Sequence, residues 1–367
     1  MAETSYNRRK VLQGVGAAAL ALTAPAARAT APTGVGVLYE GHRADFGYNQ
    51  AHAEAARALL SLPGIRLEEV EAEPGRLPAA VEELTRARGC RIVFVTAPGD
   101  GLMTLLAQAD AHRDTAFLLC AAPLDDTRLP VNVGFYEGFL NEAQHISGIV
   151  AGYASPRKQI GFVASHPAPT VLRCVNAFAL GARRADPNTA VRLAYTGLDA
   201  DPQSVAAVAR SLVASGVDVL VPQLDRPRPV LEAAEAAGIL CCGVHTDQSA
   251  IAPQGFLTGA EWSWAQLYSD IVKKIIAGEP WPRVLRGGFR DGYVRNTAYG
   301  PAVGVDARAH ADAARMQLAN GNASVFRGPV VDNTGRTVVA KGQSLAVPDP
   351  ALERMVWLAE GVVEVGD

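Results

Sequence analysis

The sequence lacks the short motifs that mark several common classes of enzyme and metalloprotein. It has no Gly-x-Ser-x-Gly nucleophile elbow, no Gly-x-x-x-x-Gly-Lys phosphate loop and no His-Glu-x-x-His metal motif. Its five cysteines are an odd number and include no Cys-x-x-Cys pair, which argues against a disulfide framework and a zinc site. We therefore expect no enzyme activity, no bound metal and no cofactor.

An excess of positive charge is also absent. The chain has 34 Lys and Arg residues against 37 Asp and Glu residues, for a formal net charge of −3. Nucleic-acid-binding proteins need a basic surface to replace the counterions of the phosphate backbone. The composition therefore argues against a nucleic acid as the partner.

No apolar run is long enough to span a membrane. The most apolar segment, residues 11–24, is shorter than the roughly 20 residues that a spanning helix needs. It follows Arg8-Arg9 and precedes Ala27-Arg28-Ala29, which is the layout of a cleaved export signal of the twin-arginine type. We predict a signal peptide over residues 1–29 and a periplasmic mature protein.

Beyond the leader, short runs of Val, Ile and Leu alternate with longer Ala-rich segments of helical spacing. Such alternation predicts parallel sheets with helices on both faces. The series starts again near residue 159, so we predict an α/β protein with two doubly wound, Rossmann-like lobes joined by a hinge. The predicted N-terminal lobe comprises residues 32–153 and about 250–285, and the C-terminal lobe residues 154–249 and about 286–367.

The C-terminal segment departs from this alternation. Residues 325–342 predict a β-hairpin that turns at Asp332-Asn333-Thr334-Gly335. Residues 351–362 have the spacing of a closing helix.

Polar and aromatic side chains cluster where the predicted strands end. Ligands of open parallel sheets bind beyond the carboxyl ends of the strands. Aromatic faces stack on flat rings, and amides and carboxylates pair with the polar edges of heterocycles. The alternative is structural, because such residues also plug core rims and cap helices. The predicted ligand-binding residues are Asp45, Tyr48, Asn49, Tyr136, Gln223, Asp225, Asp247, Trp262 and Trp264.

Several stretches resemble one family, and the similarity extends from about residue 33 to the end of the chain. The family is the basic membrane protein (BMP) family of bacterial ABC-importer solute-binding proteins, which bind purines and nucleosides. The stretches that carry the resemblance are DFGYNQAH (45–52), FYEGFLNEAQHISGIVAGYAS (135–155), SLVASGVDVLVPQLD (211–225) and GPVVDNTGRTVV (328–339).

The resemblance implies a type I periplasmic-binding-protein fold whose two lobes close on a ligand. In the family, an aromatic residue at the position of Tyr48 stacks on the base, and the amide matching Asn49 bonds the base edge. Asp225 and Trp264 resemble members that bind free purine bases, whereas Tyr39 stands where some nucleoside binders carry an acidic residue. The resemblance thus implies a monomer that delivers a purine base or nucleoside to an ABC permease.

Two alternative functions stay open at this point. A sensor with the same fold would dock on a membrane receptor instead of a permease. An exported enzyme would use the same two-lobed scaffold, although the sequence offers no nucleophile–base pair for it.

Overall fold

The computed structural model describes Met1 and residues 31–97, 100–121 and 129–366. By its contacts the chain divides into Met1–Ala31 and Pro32–Asp367, and the elements below all lie in the second unit. The predicted signal peptide lies outside the described residues, apart from Met1. Within the described ranges, no helix has both the length and the apolar character needed to cross a membrane.

The first half of the chain folds into the alternating elements that the hydrophobic pattern predicts. The strand beginning at Cys90 is buried at all but one position, as expected for a continuous apolar run covered on both faces. The elements are β1 (Thr33–Glu40), α1 (Tyr48–Ala58), β2 (Ile65–Ala72), α2 (Leu77–Glu82), β3 (Cys90–Val95), α3 (Asp100–Ala109), β4 (Ala116–Cys120), β5 (Val133–Gly138) and α4 (Asn141–Ala154).

The second half repeats the alternation and then adds a tail of short strands. Its elements are β6 (Gln159–Ala164), α5 (Pro169–Ala185), β7 (Ala190–Tyr195), α6 (Pro202–Ala214), β8 (Val219–Gln223), α7 (Arg228–Ala237), β9 (Leu240–His245), β10 (Phe256–Trp262), α8 (Trp264–Ile276), β11 (Val284–Gly287), β12 (Val294–Asn296), α9 (Val305–Ala319), β13 (Phe326–Arg327), β14 (Val330–Val331), β15 (Thr337–Val339), β16 (Ser344–Leu345) and β17 (Val362–Glu364).

The long strands of the described chain form two sheets. The sheet of the first lobe has the order β11-β5-β4-β3-β1-β2, and its strand pairs are parallel. The sheet of the second lobe has the order β12-β10-β9-β8-β6-β7-β17, and β12 runs antiparallel to β10. Helices follow the strands in both lobes, so the predicted pair of doubly wound α/β lobes is confirmed.

The packing moves two of the predicted lobe boundaries. We assigned residues about 250–285 to the first lobe, but β10 pairs with β9 in the second sheet, and only α8 and β11 return to the first lobe. Helix α4 also packs on α5 of the second lobe, although the prediction kept it in the first. The reason is close approach: a Cβ on Gly148 would lie 2.1 Å from the Phe178 carbonyl oxygen, so glycine lets the two helices meet.

The tail confirms one prediction and contradicts another. Strands β14 and β15 form the predicted hairpin, with the turn held by the Asp332 carboxylate. The prediction of a closing helix over residues 351–362 is wrong, because only Pro350–Arg354 is helical and it forms a 3₁₀ turn. The chain beyond it is extended and ends as β17, which adds a parallel edge strand beside β7.

Candidate functional site

A cavity of about 570 Å³ opens where the carboxyl ends of the two sheets face each other. This volume falls within the range of about 300–1,000 Å³ that is usual for small-molecule sites. Both lobes contribute to its wall through residues at strand ends, as expected for open α/β sheets. Such residues include Tyr48, Cys120 and Glu137 from the first lobe and Ser165, Thr196, Gln223, His245 and Trp262 from the second.

Two aromatic side chains from different lobes line the cavity. Tyr48 begins α1 in the first lobe, and Trp262 ends β10 in the second. The Trp262 ring stacks on Trp264 at 4.8 Å and on His245 at 5.9 Å, and its Nε1 donates to the Nδ1 atom of His245. Tyr48 meets His245 edge to face at 5.7 Å. Contacts within the protein therefore fix the positions of both rings at the cavity wall.

A glycine makes room for the tryptophan pair. Gly138 ends β5, and a Cβ there would lie 2.4 Å from the Trp262 ring and 2.9 Å from the Trp264 ring. Any larger residue would push Trp262 away from its stacked position.

Asp45 holds the start of α1 and is absent from the cavity wall. Its carboxylate accepts hydrogen bonds from the backbone N–H groups of Gly47, Asn49 and Gln50 at 2.8 to 3.0 Å. These are donors that the first turn of a helix otherwise leaves unpaired. Asp45 therefore positions Tyr48, and its predicted contact with a ligand stays a prediction.

Four other predicted residues also have side chains engaged away from the cavity wall. Asn49 is buried, donates to the Glu40 carbonyl oxygen and accepts from Thr96 Oγ1, each at 2.8 Å. The Tyr136 hydroxyl lies 2.8 Å from that of Tyr268, within the core of the first lobe. Asp247 is exposed and caps the backbone N–H of Ser249, and Trp264 is buried behind Trp262.

The other four predicted residues meet at the cavity: Tyr48, Gln223, Asp225 and Trp262. The Gln223 Oε1 atom accepts from Gln144 Nε2 at 2.9 Å, so α4 fixes the orientation of this amide. Asp225 projects into the cavity, where the surrounding protein raises the pKa of its carboxyl by desolvation, with a smaller contribution from Asp45. These side chains surround the space with rings, an amide and a carboxyl.

Sequence reasoning missed a chain of four charges beside the cavity. Arg173 on α5 donates to Glu137 Oε1, and Arg286 on β11 contacts both Glu137 and Glu353 of the tail. The charges alternate in sign, and Glu137 and Arg286 belong to the first lobe whereas Arg173 and Glu353 belong to the second. The available signal was Arg173 itself, a lone charge in the apolar sequence TVLRCVNAF (170–178).

The cavity wall also carries two cysteines, one from each lobe. Cys120 ends β4 and Cys174 lies on α5, and both thiols are free and buried. Burial raises the pKa of each thiol to about 12, so both remain protonated and are poor nucleophiles near neutral pH. Among the described residues, no group of three or more His, Cys, Asp or Glu is arranged to hold a metal ion.

Comparison with known proteins agrees with this architecture. A purine-binding protein of Brucella abortus (strain 2308) is 26% identical over 342 residues, which cover 92% of this chain and 95% of that protein. A putative ABC transporter glucose-binding protein of Haloferax volcanii is 26% identical over 285 residues, or 77% of this chain and 71% of that protein. A solved ABC transporter solute-binding protein from Conexibacter woesei superposes with a TM-score of 0.68 at 25% identity, over 79% of this chain and 97% of that one.

Fold, cavity and structural neighbours define a two-lobed solute-binding protein with the type I periplasmic-binding-protein fold. Residues 33–302 match the Bmp family, described as ABC transporter substrate-binding protein, PnrA-like. The chain belongs to this family, as the sequence resemblance predicts, and its class is that of proteins that bind a solute for an ABC transporter.

Proposed function

We propose that the protein is exported to the periplasm, binds a purine base or nucleoside between its lobes and presents it, chemically unchanged, to an ABC permease. One observation carries the proposal: Tyr48 and Trp262, from opposite lobes, border one cavity whose remaining wall includes amide, carboxyl and guanidinium groups. Rings of this kind stack on a heterocycle, while the polar groups bind its edges. The purine-binding relative supports this choice of ligand.

A thermal-shift panel on the purified protein, stripped of any ligand by unfolding and refolding, tests the proposal. The panel contains purine bases, their nucleosides, pyrimidines and the sugars glucose and ribose. A ligand at a hundred times its dissociation constant stabilises the folded state by about 2.7 kcal/mol. We expect purines or purine nucleosides to raise the melting temperature and sugars to leave it unchanged.

Two results would contradict the proposal. A shift with glucose and none with any purine would favour a sugar carrier, the activity named for the Haloferax volcanii relative. Conversion of the bound purine, detected by chromatography after incubation, would instead favour an enzyme. Isothermal titration of the best ligand then supplies the dissociation constant that the variants below require.

A further inference from the structure

We propose that Arg173 selects purines that carry an oxygen at position 6, such as hypoxanthine and guanine, over adenine. This inference rests on the proposed function, and it specifies which purines the cavity prefers. Arg173 borders the cavity from α5 and is only 3% exposed.

The Arg173 guanidinium has unmatched hydrogen-bond donors. Its Nη2 atom donates to Glu137, whereas Nε and Nη1 have no partner among the described residues. A guanidinium carries five N–H groups and no acceptor, so only an acceptor atom can match them. Both atoms have almost no accessible surface in this conformation, so a ligand acceptor would reach them through a small movement of the side chain. Because unpaired buried donors are costly, such a contact would be favoured.

The neighbouring charges favour a neutral acceptor over an anion. Glu137 also accepts from Arg286 Nε at 3.1 Å, and Arg286 contacts Glu353, so two positive charges are balanced by two negative ones. The Arg173 guanidinium carbon further lies 4.8 Å from the centre of the Phe139 ring. The charge of the arginine is thus compensated before a ligand arrives, and a carbonyl oxygen suffices to complete its bonding.

The purine edge that fits this requirement is that of a 6-oxopurine. Guanine presents O6 and N7 as adjacent acceptors, a pair that arginine commonly binds, whereas adenine presents a donor at N6 beside N7. An amide with both ends free reads the adenine edge best, but Asn49 has both ends bonded to the protein. Gln223 in turn is partly occupied by Gln144.

The test compares dissociation constants for hypoxanthine, guanine and adenine, measured by isothermal titration, in wild type and in Arg173→Lys. We expect wild type to prefer hypoxanthine over adenine by roughly ten- to a hundredfold. Lysine keeps the charge beside Glu137 but loses the planar fork, so the preference should fall to about threefold or less. The double variant Arg173→Gln/Glu137→Gln removes both charges together, and it should also lose the preference for hypoxanthine.

The control is Arg184→Lys, an exposed position on the same helix, which should keep the wild-type ratio. If the ratio of the adenine to the hypoxanthine dissociation constant were equal in wild type and Arg173→Lys, the inference would be overturned. A wild type that prefers adenine would overturn it as well. In both cases the proposed purine-binding function would stand. Failure of all three bases and their nucleosides to bind wild type would remove the proposed function together with the inference.

Discussion

Tyr48, one of the cavity-lining residues, is held by contacts on several sides. The Asp45 carboxylate holds the first turn of α1, and His52 and His245 pack edge-on against the Tyr48 ring. The residue also lines the cavity. The ring is therefore presented at a fixed angle, and binding need not pay for ordering it.

Replacing Tyr48 with alanine should weaken the tightest-binding purine at least about tenfold, because stacking contributes about 1–3 kcal/mol per base. Tyr48→Phe keeps the ring and should retain most of the affinity. Tyr153→Ala, which removes a partly exposed tyrosine on α4, is the matched control. Isothermal titration measures all three, and unchanged affinity in Tyr48→Ala would remove this ring from the site.

The predicted site residues show how far a sequence can specify which way each side chain faces. Tyr48 and Asn49 are neighbours, but successive helix residues point about 100° apart, so one ring faces the cavity and the next side chain enters the core. Trp262 and Trp264 are also close in sequence, yet Trp262 ends β10 on the wall and Trp264 begins α8 behind it. Position at a strand end predicts nearness to the site, whereas the facing of each side chain depends on packing that a single sequence does not show.

At the scale of elements, the strongly periodic strands and helices and the tail hairpin were predictable, and the extended end of the tail was not. The segment from Arg354 onward has helical spacing, yet its backbone is bonded by a distant side chain. Asn176 on α5 donates to the Trp357 carbonyl oxygen and accepts from the Ala359 N–H, each at 2.7 Å. These bonds replace those of a helix, so tertiary contacts override the local preference. Asn176 lies 181 and 183 residues away from these two bonding partners in sequence, so no local pattern indicates the contact.

A buried carboxyl lies where α4 meets the segment after β11, and it should make the stability of the protein depend on pH. The Glu142 carboxyl on α4 accepts from the Phe289 N–H at 2.7 Å, near Asp291. Burial raises its pKa from 4.5 to about 7, the Phe289 hydrogen bond partly opposes this, and Asp291 adds to it. The folded state therefore holds this proton more tightly than the unfolded state does, and stability falls as pH rises from about 4.5 to about 7.

Glutamine at position 142 would remove this titration and keep an oxygen for the Phe289 N–H. We expect Glu142→Gln to gain stability relative to wild type as the pH rises. The difference between the free energies of unfolding of variant and wild type should be larger at pH 7.5 than at pH 4.5, by up to about 3 kcal/mol. Urea unfolding at the two pH values measures the difference. Glu279→Gln, an exposed position, is the control. A difference that does not change with pH would show that Glu142 is ionised in the folded protein.

At the scale of the whole molecule, the two lobes touch beside the cavity. The Tyr48 N–H donates to the Asp225 carbonyl oxygen at 2.9 Å, and Gln248 Nε2 donates to the Phe46 carbonyl oxygen at 2.7 Å. The Arg228 guanidinium lies 5.0 Å from the centre of the Phe46 ring. Two cavity-lining residues, Tyr48 and Asp225, thus also join the lobes, so we expect closure to be coupled to binding.

Gly47 permits this closure, because a Cβ there would lie 1.9 Å from the Asp225 carbonyl oxygen and 2.6 Å from Pro227 Cδ. The first of these atoms is backbone and cannot move aside as a flexible side chain would. Gly47→Ala should therefore hold the lobes apart, and it replaces no side chain on the cavity wall. A coupling of this kind is typically worth about 1–3 kcal/mol, so we expect affinity to fall roughly five- to 150-fold.

Small-angle X-ray scattering separates this effect from a loss of direct contacts. Wild type should become more compact when the tightest-binding purine is added, and Gly47→Ala should keep the same radius of gyration with and without it. Gly75→Ala is the matched control, because a Cβ at Gly75 meets no atom within 4 Å. If Gly47→Ala compacted and bound like wild type, closure would not require the Tyr48–Asp225 contact. If it bound weakly yet still compacted, the lost affinity would have to come from the cavity wall.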